Sequence, residues 1–212
     1  MTAPLCRTER ADLCDLMLEL GPDAPTLSGS WTTRDLAAHL VVRENRPDAA
    51  MGLMLPPLRG WLDRVTGSTS RRPFEELVSH VRSGPPLWSP VRFEALDVET
   101  NTIEFFVHHE DVRRAQETWE PRVLPDSAVD ALAQRMPKVG RLLLRRCPVG
   151  VVVSPTDGPA AGSATRLRQG ERYVTLVGPT AEIVLAKYGR ITRGLEIRGD
   201  DADVRAFLAF PR

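Results

Sequence analysis

The spacing of hydrophobic and polar positions changes once along the chain, near residue 148. Before that point apolar residues recur mostly at intervals of three and four, which is the spacing of one helix face. After it come short β-branched runs separated by glycine and proline. We therefore predict a mainly α protein with two domains, a four-helix bundle over residues 1–147 and a small α+β domain over residues 148–212.

Caps and breaks divide the first part into helices. Thr32, followed by Asp35, is typical of a helix start, because the threonine hydroxyl caps the first turn and the acid lies near the positive end of the helix dipole. Pro137 lies inside the last predicted helix and is expected to kink or break it. Four long helices and several short ones are predicted. The first ends at residue 20, and the others cover residues 35–46, 51–55, 58–65, 73–84, 96–115 and 126–146.

The second part predicts a small sheet with two helices. Asp157-Gly158 is a turn signal between the first two strands. Asp200 and Asp201 are expected to cap a last helix that ends at Phe207. The predicted strands cover residues 149–153, 166–169, 173–177 and 194–198, and the other predicted helix covers residues 181–187.

Composition and charge exclude several classes of protein. Lys+Arg and Asp+Glu number 28 each, so no net charge attracts nucleic acid or anionic lipid. The chain has no run of 18 apolar residues and no apolar leader near its first residues. The cysteines are Cys6, Cys14 and Cys147, an odd and sparse set that argues against a disulfide framework. We expect a cytoplasmic protein, a monomer or homodimer, without nucleic-acid or membrane partners.

The candidate chemistry lies in the uneven distribution of four histidines. Glu104 and His108 are four residues apart on a predicted helix, so both lie on one face and can bind one divalent metal ion. His39, in the middle of an earlier apolar helix, is the candidate third ligand. A histidine in such a place is by itself more often a buried residue that hydrogen-bonds a neighbour. His80 lies on a polar helix and is predicted to be a surface residue.

Helix geometry separates the neighbours of His108 from one another. His109 lies about 100° further round the helix and should not join the same site. Asp111 is three residues after His108, on its side of the helix, and can orient a ligand imidazole. An ion pair between Asp111 and Arg113, Arg114 or another surface arginine is the alternative.

A set of two histidines and one carboxylate predicts an open metal site. Zinc in such sites keeps a fourth position for water or substrate, although another divalent metal would fit the same donors. One carboxylate leaves a net charge of about +1, which favours an incoming thiolate or another anion.

Two stretches resemble a known family. Trp31-Thr-Thr-Arg-Asp-Leu-Ala-Ala-His39-Leu-Val is similar to a signature near the start of DinB-like proteins, and Glu104-Phe-Phe-Val-His108-x-x-Asp111 resembles their matching segment. Together they resemble the mycothiol-dependent maleylpyruvate isomerase branch, and most of all an actinobacterial subgroup of metal-binding proteins. The likeness extends to residues 81–90 and to the C-terminal part.

This resemblance implies zinc bound by His39, Glu104 and His108, with mycothiol reaching the metal in a cleft between the bundle and the C-terminal domain. The family's C-terminal active-site arginine has no clear counterpart, since Arg190, Arg193 and Arg198 are all candidates. Ser30 also replaces the glycine that usually precedes the tryptophan of the first motif.

We therefore predict a zinc-dependent mycothiol S-transferase or isomerase that acts on a small-molecule thiol and an electrophilic substrate. The alternatives are a metal-dependent hydrolase, a non-catalytic ligand-binding or stress-response protein, and a structural bundle with a polar core cluster. No Gly-rich loop follows a strand, so nothing indicates nucleotide binding.

Overall fold

The computed structural model describes residues 3–53, 55–89, 93–190 and 192–211. The chain forms two compact units, Met1–Trp119 and Glu120–Arg212. The first is a helical bundle and the second contains a four-stranded sheet. This confirms the predicted fold class, a DinB-like bundle with a small C-terminal α+β domain.

The first unit is built around four packed helices. They are α1 (Leu5–Leu20), α2 (Thr33–Asn45), α5 (Phe74–Ser83) and α6 (Glu94–Arg113). Two shorter helices, α3 (Pro47–Ala50) and α4 (Arg59–Thr69), connect α2 to α5, with 3₁₀ turns at Met51–Leu53 and Pro56–Leu58 between them. The predicted helical segment over residues 51–55 is therefore wrong in its extent. Met54 and Pro90, which fall in predicted segments, lie outside the described residues.

The apolar faces of the four long helices meet in one core. It includes Leu13, Met17, Leu36, Leu40, Leu77, Val81, Phe105 and Val112. Burying large apolar side chains contributes about 1.5–3 kcal/mol each relative to leaving them in water. The same spacing that predicted the helices thus determines which faces pack together.

A buried polar network fixes α2 against α6. The Arg10 guanidinium on α1 donates to both carboxylate oxygens of Glu44 on α2 at 2.6 Å. The Asn101 amide on α6 donates to the same Glu44 carboxylate at 3.1 Å. A buried charge is tolerated only when it is paired and hydrogen-bonded. This network therefore constrains the relative position of the two helices that carry the candidate ligands.

The second unit begins with a helix and continues into the sheet. Its elements are α7 (Asp126–Leu143), β1 (Gly150–Pro155), β2 (Thr165–Arg168), β3 (Tyr173–Gly178), α8 (Thr180–Lys187), β4 (Glu196–Arg198) and α9 (Asp201–Leu208). The strand order is β2-β1-β3-β4, in which β1 and β3 are parallel and the outer pairs antiparallel. Val151, Val153, Val174 and Leu176 are buried on the central strands.

The last long helix differs from its prediction. The pattern assigned residues 126–146 to the bundle, with a domain boundary near residue 147. In the structure α7 packs on α8 and β2, and the compact units divide between Trp119 and Glu120. The fourth bundle helix is α5 instead. The helix also continues through Pro137 without a break.

None of the helices in the described residues is long and apolar enough to cross a membrane.

Candidate metal centre

His39 lies on helix α2, whose first turn is capped as the sequence predicted. The Thr32 hydroxyl accepts a hydrogen bond from the backbone N–H of Asp35, and the Asp35 carboxylate accepts one from the backbone N–H of Thr32. Such a capping box satisfies two backbone donors that a helix start leaves free. His39 lies seven residues after Thr32 and is largely buried.

Helix α6 brings the other two candidate ligands to the same place. Glu104 Oε1 lies 3.4 Å from His108 Nε2 on its own helix and 3.7 Å from His39 Nε2 on α2. The nearest donor atoms of the three residues all lie within 4.8 Å of one another. The structure therefore brings together the three residues that the sequence proposed as ligands.

Arg43 is a fourth member of the cluster, which the sequence reasoning missed. Its Nε lies 3.1 Å from Glu104 Oε1, and its terminal nitrogen donates to Asn101 Oδ1 at 2.6 Å. Arg43 follows His39 by four residues and so lies on the same face of α2. That spacing could have predicted the contact, because two residues on the same face of α2 can both reach the Glu104 carboxylate on α6.

Asp111 contacts the far side of the His108 ring. Asp111 Oδ2 lies 3.2 Å from His108 Nδ1 and accepts a hydrogen bond from the Ser28 hydroxyl at 2.8 Å. The backbone carbonyl of Asp111 also accepts from the N–H of Leu27 at 3.0 Å, which fixes this loop on α6. Nothing in the sequence pattern pointed to Ser28, since it lies in a loop far from α6 along the chain.

The remaining charged neighbours follow the predicted helix faces. His109 Nδ1 lies 2.7 Å from Glu9 Oε2 on α1, away from His108, as the helical geometry predicted. Arg113 and Arg114 both pair with Glu110, at 2.7 and 2.5 Å. His80 is exposed, which confirms its prediction as a surface residue, and its Nδ1 lies 2.8 Å from the Glu76 carbonyl.

Burial and hydrogen bonds together set the protonation of the cluster. Burial acts to raise the pKa of Glu104, but the nearby imidazoles of His108 and His39 outweigh it and hold that pKa well below its usual range. Burial lowers the pKa of His39. Burial also acts to lower the pKa of His108, yet hydrogen bonds to Asp111 and Glu104 raise it to about 9. At neutral pH the metal-free cluster therefore carries its proton on His108, while His39 is neutral.

A cleft of about 370 Å³ opens beside His39 within the first unit. Its wall combines the apolar residues Trp31 and Leu62 with the polar residues Ser30, Thr66 and Ser70. The Trp31 ring lies 5.0 Å from the His39 ring, centre to centre. A cleft of this volume is at the small end of the range that holds organic ligands.

The fold and the metal-ligand group together define the class of protein. The chain has the DinB-like fold, a helical bundle followed by a small unit with a sheet, and a His/Glu/His group lies on two facing bundle helices. No protein-family model matches the sequence, and the curated proteins contain no match.

Solved structures give the more specific likeness. The chain is similar to the mycothiol-dependent maleylpyruvate isomerase, with a TM-score of 0.54 and 17% identity over 91% of this chain and 90% of that one. A histidine-to-alanine mutant of that isomerase gives a TM-score of 0.53 and 16% identity over the same shares of the two chains. At such identity the likeness shows a common fold. The actinobacterial metal-binding subgroup stays a prediction.

Proposed function

We propose that this protein is a zinc-dependent enzyme that uses mycothiol, or a related small-molecule thiol, either to isomerise an electrophilic substrate or to join the thiol to that substrate through the thiol sulfur. The observation that carries the proposal is the group formed by His39, Glu104 and His108, of which His39 also lines a cleft. The fold shared with a mycothiol-dependent isomerase supports the choice of thiol.

The donor set fits zinc in chemistry and spacing. Imidazole and carboxylate are both zinc ligands, with bond lengths of about 2.0–2.2 Å, which separates neighbouring donors of a tetrahedral site by roughly 3.3 Å. The distances from Glu104 Oε1 to the two histidine Nε2 atoms, 3.4 and 3.7 Å, are close to that separation. Three protein ligands leave a fourth position open, the arrangement of catalytic rather than structural zinc sites.

One of the ligands, His108, is held in the tautomer that metal binding requires. Asp111 contacts His108 Nδ1, so a neutral His108 carries its proton there and keeps the Nε2 lone pair directed at Glu104 and the site. We assign Asp111 as a positioning residue rather than a catalytic one. When bound, the metal supplies Lewis-acid chemistry that lowers the pKa of a thiol or water at the open position.

Arg43 positions the Glu104 carboxylate in this proposal. Its guanidinium contacts Glu104 Oε1 while bonding Asn101, which also bonds the buried Glu44 carboxylate. The carboxylate is thereby connected to the network that holds α2 against α6. A ligand fixed by packing and hydrogen bonds loses little freedom when it binds, which favours affinity.

Thiol activation can be measured without knowing the natural substrate. Zinc-loaded protein should accelerate the alkylation of mycothiol by bromobimane at neutral pH by about tenfold or more over the metal-free protein, because a thiolate is the nucleophile. Glu104→Gln should lose that acceleration, since an amide is a poorer zinc ligand than a carboxylate.

The same assay distinguishes the competing functions. Equal rates with and without zinc would overturn the proposal. Ester hydrolysis that depends on zinc and proceeds without any thiol would instead favour a hydrolase, in which the open position activates water. Mycothiol binding that is equally tight without zinc and gives no acceleration would favour the non-catalytic alternative.

A further inference from the structure

A second cleft, of about 360 Å³, lies on the second unit and is independent of the candidate metal centre. It is formed where β3 begins and where β4 passes into α9. Residues that line it include Glu171, Arg172, Tyr173, Arg198, Asp200 and Asp203. Nothing in the proposed function uses these residues.

Asp203 is the unusual member of this cleft. Its side chain is 4% exposed, and its Oδ1 atom has no hydrogen-bond donor among the described residues. The nearest cation is the Arg172 guanidinium, 3.4 Å away and outside hydrogen-bond geometry, on a side chain that is 69% exposed. Buried polar atoms in folded proteins almost always have a partner, so an oxygen that lacks one in a cleft indicates a ligand with a donor group.

The charges around Asp203 indicate the sign of that ligand. Glu171 and Asp200 add two further carboxylates to the cleft. The Arg198 guanidinium already donates to both oxygens of Glu196, at 2.8 and 2.7 Å. Arg172 lies against Asp203 itself. The residues that line the cleft thus carry three carboxylates and two guanidinium groups, and Arg198 is already bonded to Glu196, so the cleft favours a cation over an anion.

We propose that this cleft binds a small organic amine, whose ammonium group donates to Asp203 Oδ1 and takes the place of Arg172. A charged donor forms a stronger hydrogen bond to a carboxylate than a neutral one does. The exposed Tyr173 ring adds an aromatic surface that favours cations. A bare metal ion fits less well, because in the described part of the chain the carboxylates of this cleft form no group of three close enough to share one.

The proposal can be tested by titrating the full chain with 1,4-diaminobutane and following backbone amide shifts by NMR. We expect saturable shifts confined to residues 171–175 and 199–203, and none with the neutral isostere 1,4-butanediol. Asp203→Asn should weaken binding by about tenfold or more, because the charged acceptor is lost. Asp201→Asn, the same change at an exposed position two residues away, should leave the affinity unchanged.

Arg172→Gln gives a test in the opposite direction and changes only an exposed side chain. If Arg172 competes with the amine for Asp203, removing its charge should tighten binding by about threefold or more. Absence of saturable shifts in the wild-type chain, equal affinity in Asp203→Asn and Asp201→Asn, or weaker binding in Arg172→Gln would each overturn the proposal. The metal centre is not involved, so these results are independent of the proposed enzymatic activity.

Discussion

At the scale of single residues, the most consequential contact is the one between His108 and Asp111. The carboxylate is fully buried and holds the imidazole by its Nδ1 atom, while Nε2 lies 3.4 Å from Glu104. Carboxylates that orient metal-binding histidines typically contribute about 10–100-fold to affinity. Asp111 therefore determines how well the donor group is prepared for a metal ion.

We predict that Asp111→Asn lowers zinc affinity by about 10–100-fold with the fold retained. The measurement is competition with a chelator above pH 9, where the proton on His108 no longer competes in either protein. Asp48→Asn, which removes an exposed carboxylate that pairs with Arg46, is the matched control and should leave affinity unchanged. Equal affinities of Asp111→Asn and wild type would show that Asp111 has no positioning role.

The protonation of His108 predicts how zinc binding depends on pH. Hydrogen bonds to Asp111 and Glu104, acting against burial, raise its pKa to about 9, so the metal-free site holds a proton below that pH. Zinc must displace that proton, and the lowered pKa of His39 means that His39 has none to lose near neutral pH. Apparent affinity should therefore rise about tenfold per pH unit from pH 7 and level off near pH 9. Calorimetry in buffers of different ionisation enthalpy should detect about one proton released per zinc near pH 7; release of none would contradict the assignment.

Single residues also show how far spacing could predict the site. Glu104 and His108 were predictable because they are four apart on one helix, and His39 because it is a histidine among apolar residues on another. Arg43 was missed although it has the same spacing from His39, since a lone arginine usually lies in solvent. Ser28 could not be predicted, because its contact with Asp111 depends on how the loop folds back on α6.

At the scale of elements, caps and breaks were the reliable signals. The capping box at Thr32 and the glycine after residue 20 mark helix ends that the structure confirms. The partner of α7 was not predictable in the same way. Its apolar face, which includes Leu132 and Met136, fits a bundle or a sheet equally well, and only tertiary packing assigns it to α8 and β2.

The contact between α7 and α8 contains a buried lysine with consequences for stability. The Lys187 ammonium on α8 donates to the Met136 carbonyl on α7 at 3.1 Å. A Cβ added at Gly140 would approach Lys187 Cδ to 3.3 Å, so the glycine provides room for this side chain. Burial lowers the pKa of Lys187 from 10.5 to about 7. The unfolded chain therefore binds more protons than the folded one between these pH values, and this lysine destabilises the fold most at low pH.

We predict that Lys187→Met stabilises the protein near pH 7, by on the order of a few kcal/mol in the free energy of unfolding. The gain should shrink as pH rises toward 10.5 and be lost above it, where the wild-type lysine is neutral in both states. Urea unfolding of both proteins across this pH range gives the difference. Lys138→Met, at the chain's other lysine, provides a matched control. A gain in stability that does not change with pH would show that the charge on the buried lysine does not destabilise the folded state.

At the scale of the whole molecule, the class of fold was predictable from the sequence. The bundle, the small sheet and their order along the chain followed from periodicity, and the same architecture occurs in an isomerase only 17% identical. The point of division was less predictable. The change of spacing near residue 148 marks where strands begin, whereas the compact units divide at residue 119, because α7 packs with the sheet that follows it.

The two units have different kinds of candidate site. The first holds a group of nitrogen and oxygen donors suited to a metal ion. The second has a cleft with a buried carboxylate oxygen that has no hydrogen-bond donor within the described part of the chain. Sequence spacing indicated the metal group because its residues lie on regular helices. It gave no signal for the cleft around Asp203, which depends on where β3, β4 and α9 meet.

The central claim, that His39, Glu104 and His108 bind zinc, is tested most directly by the metal content of the purified full chain after zinc loading and dialysis. We predict about one zinc per wild-type chain and almost none in His39→Ala or His108→Ala. His109→Ala removes a neighbouring buried histidine that bonds Glu9, so it controls for loss of packing and should retain the metal. Circular dichroism would verify that each variant is folded. A wild-type chain that retains no zinc, or a His108→Ala chain that retains as much as His109→Ala, would contradict the account.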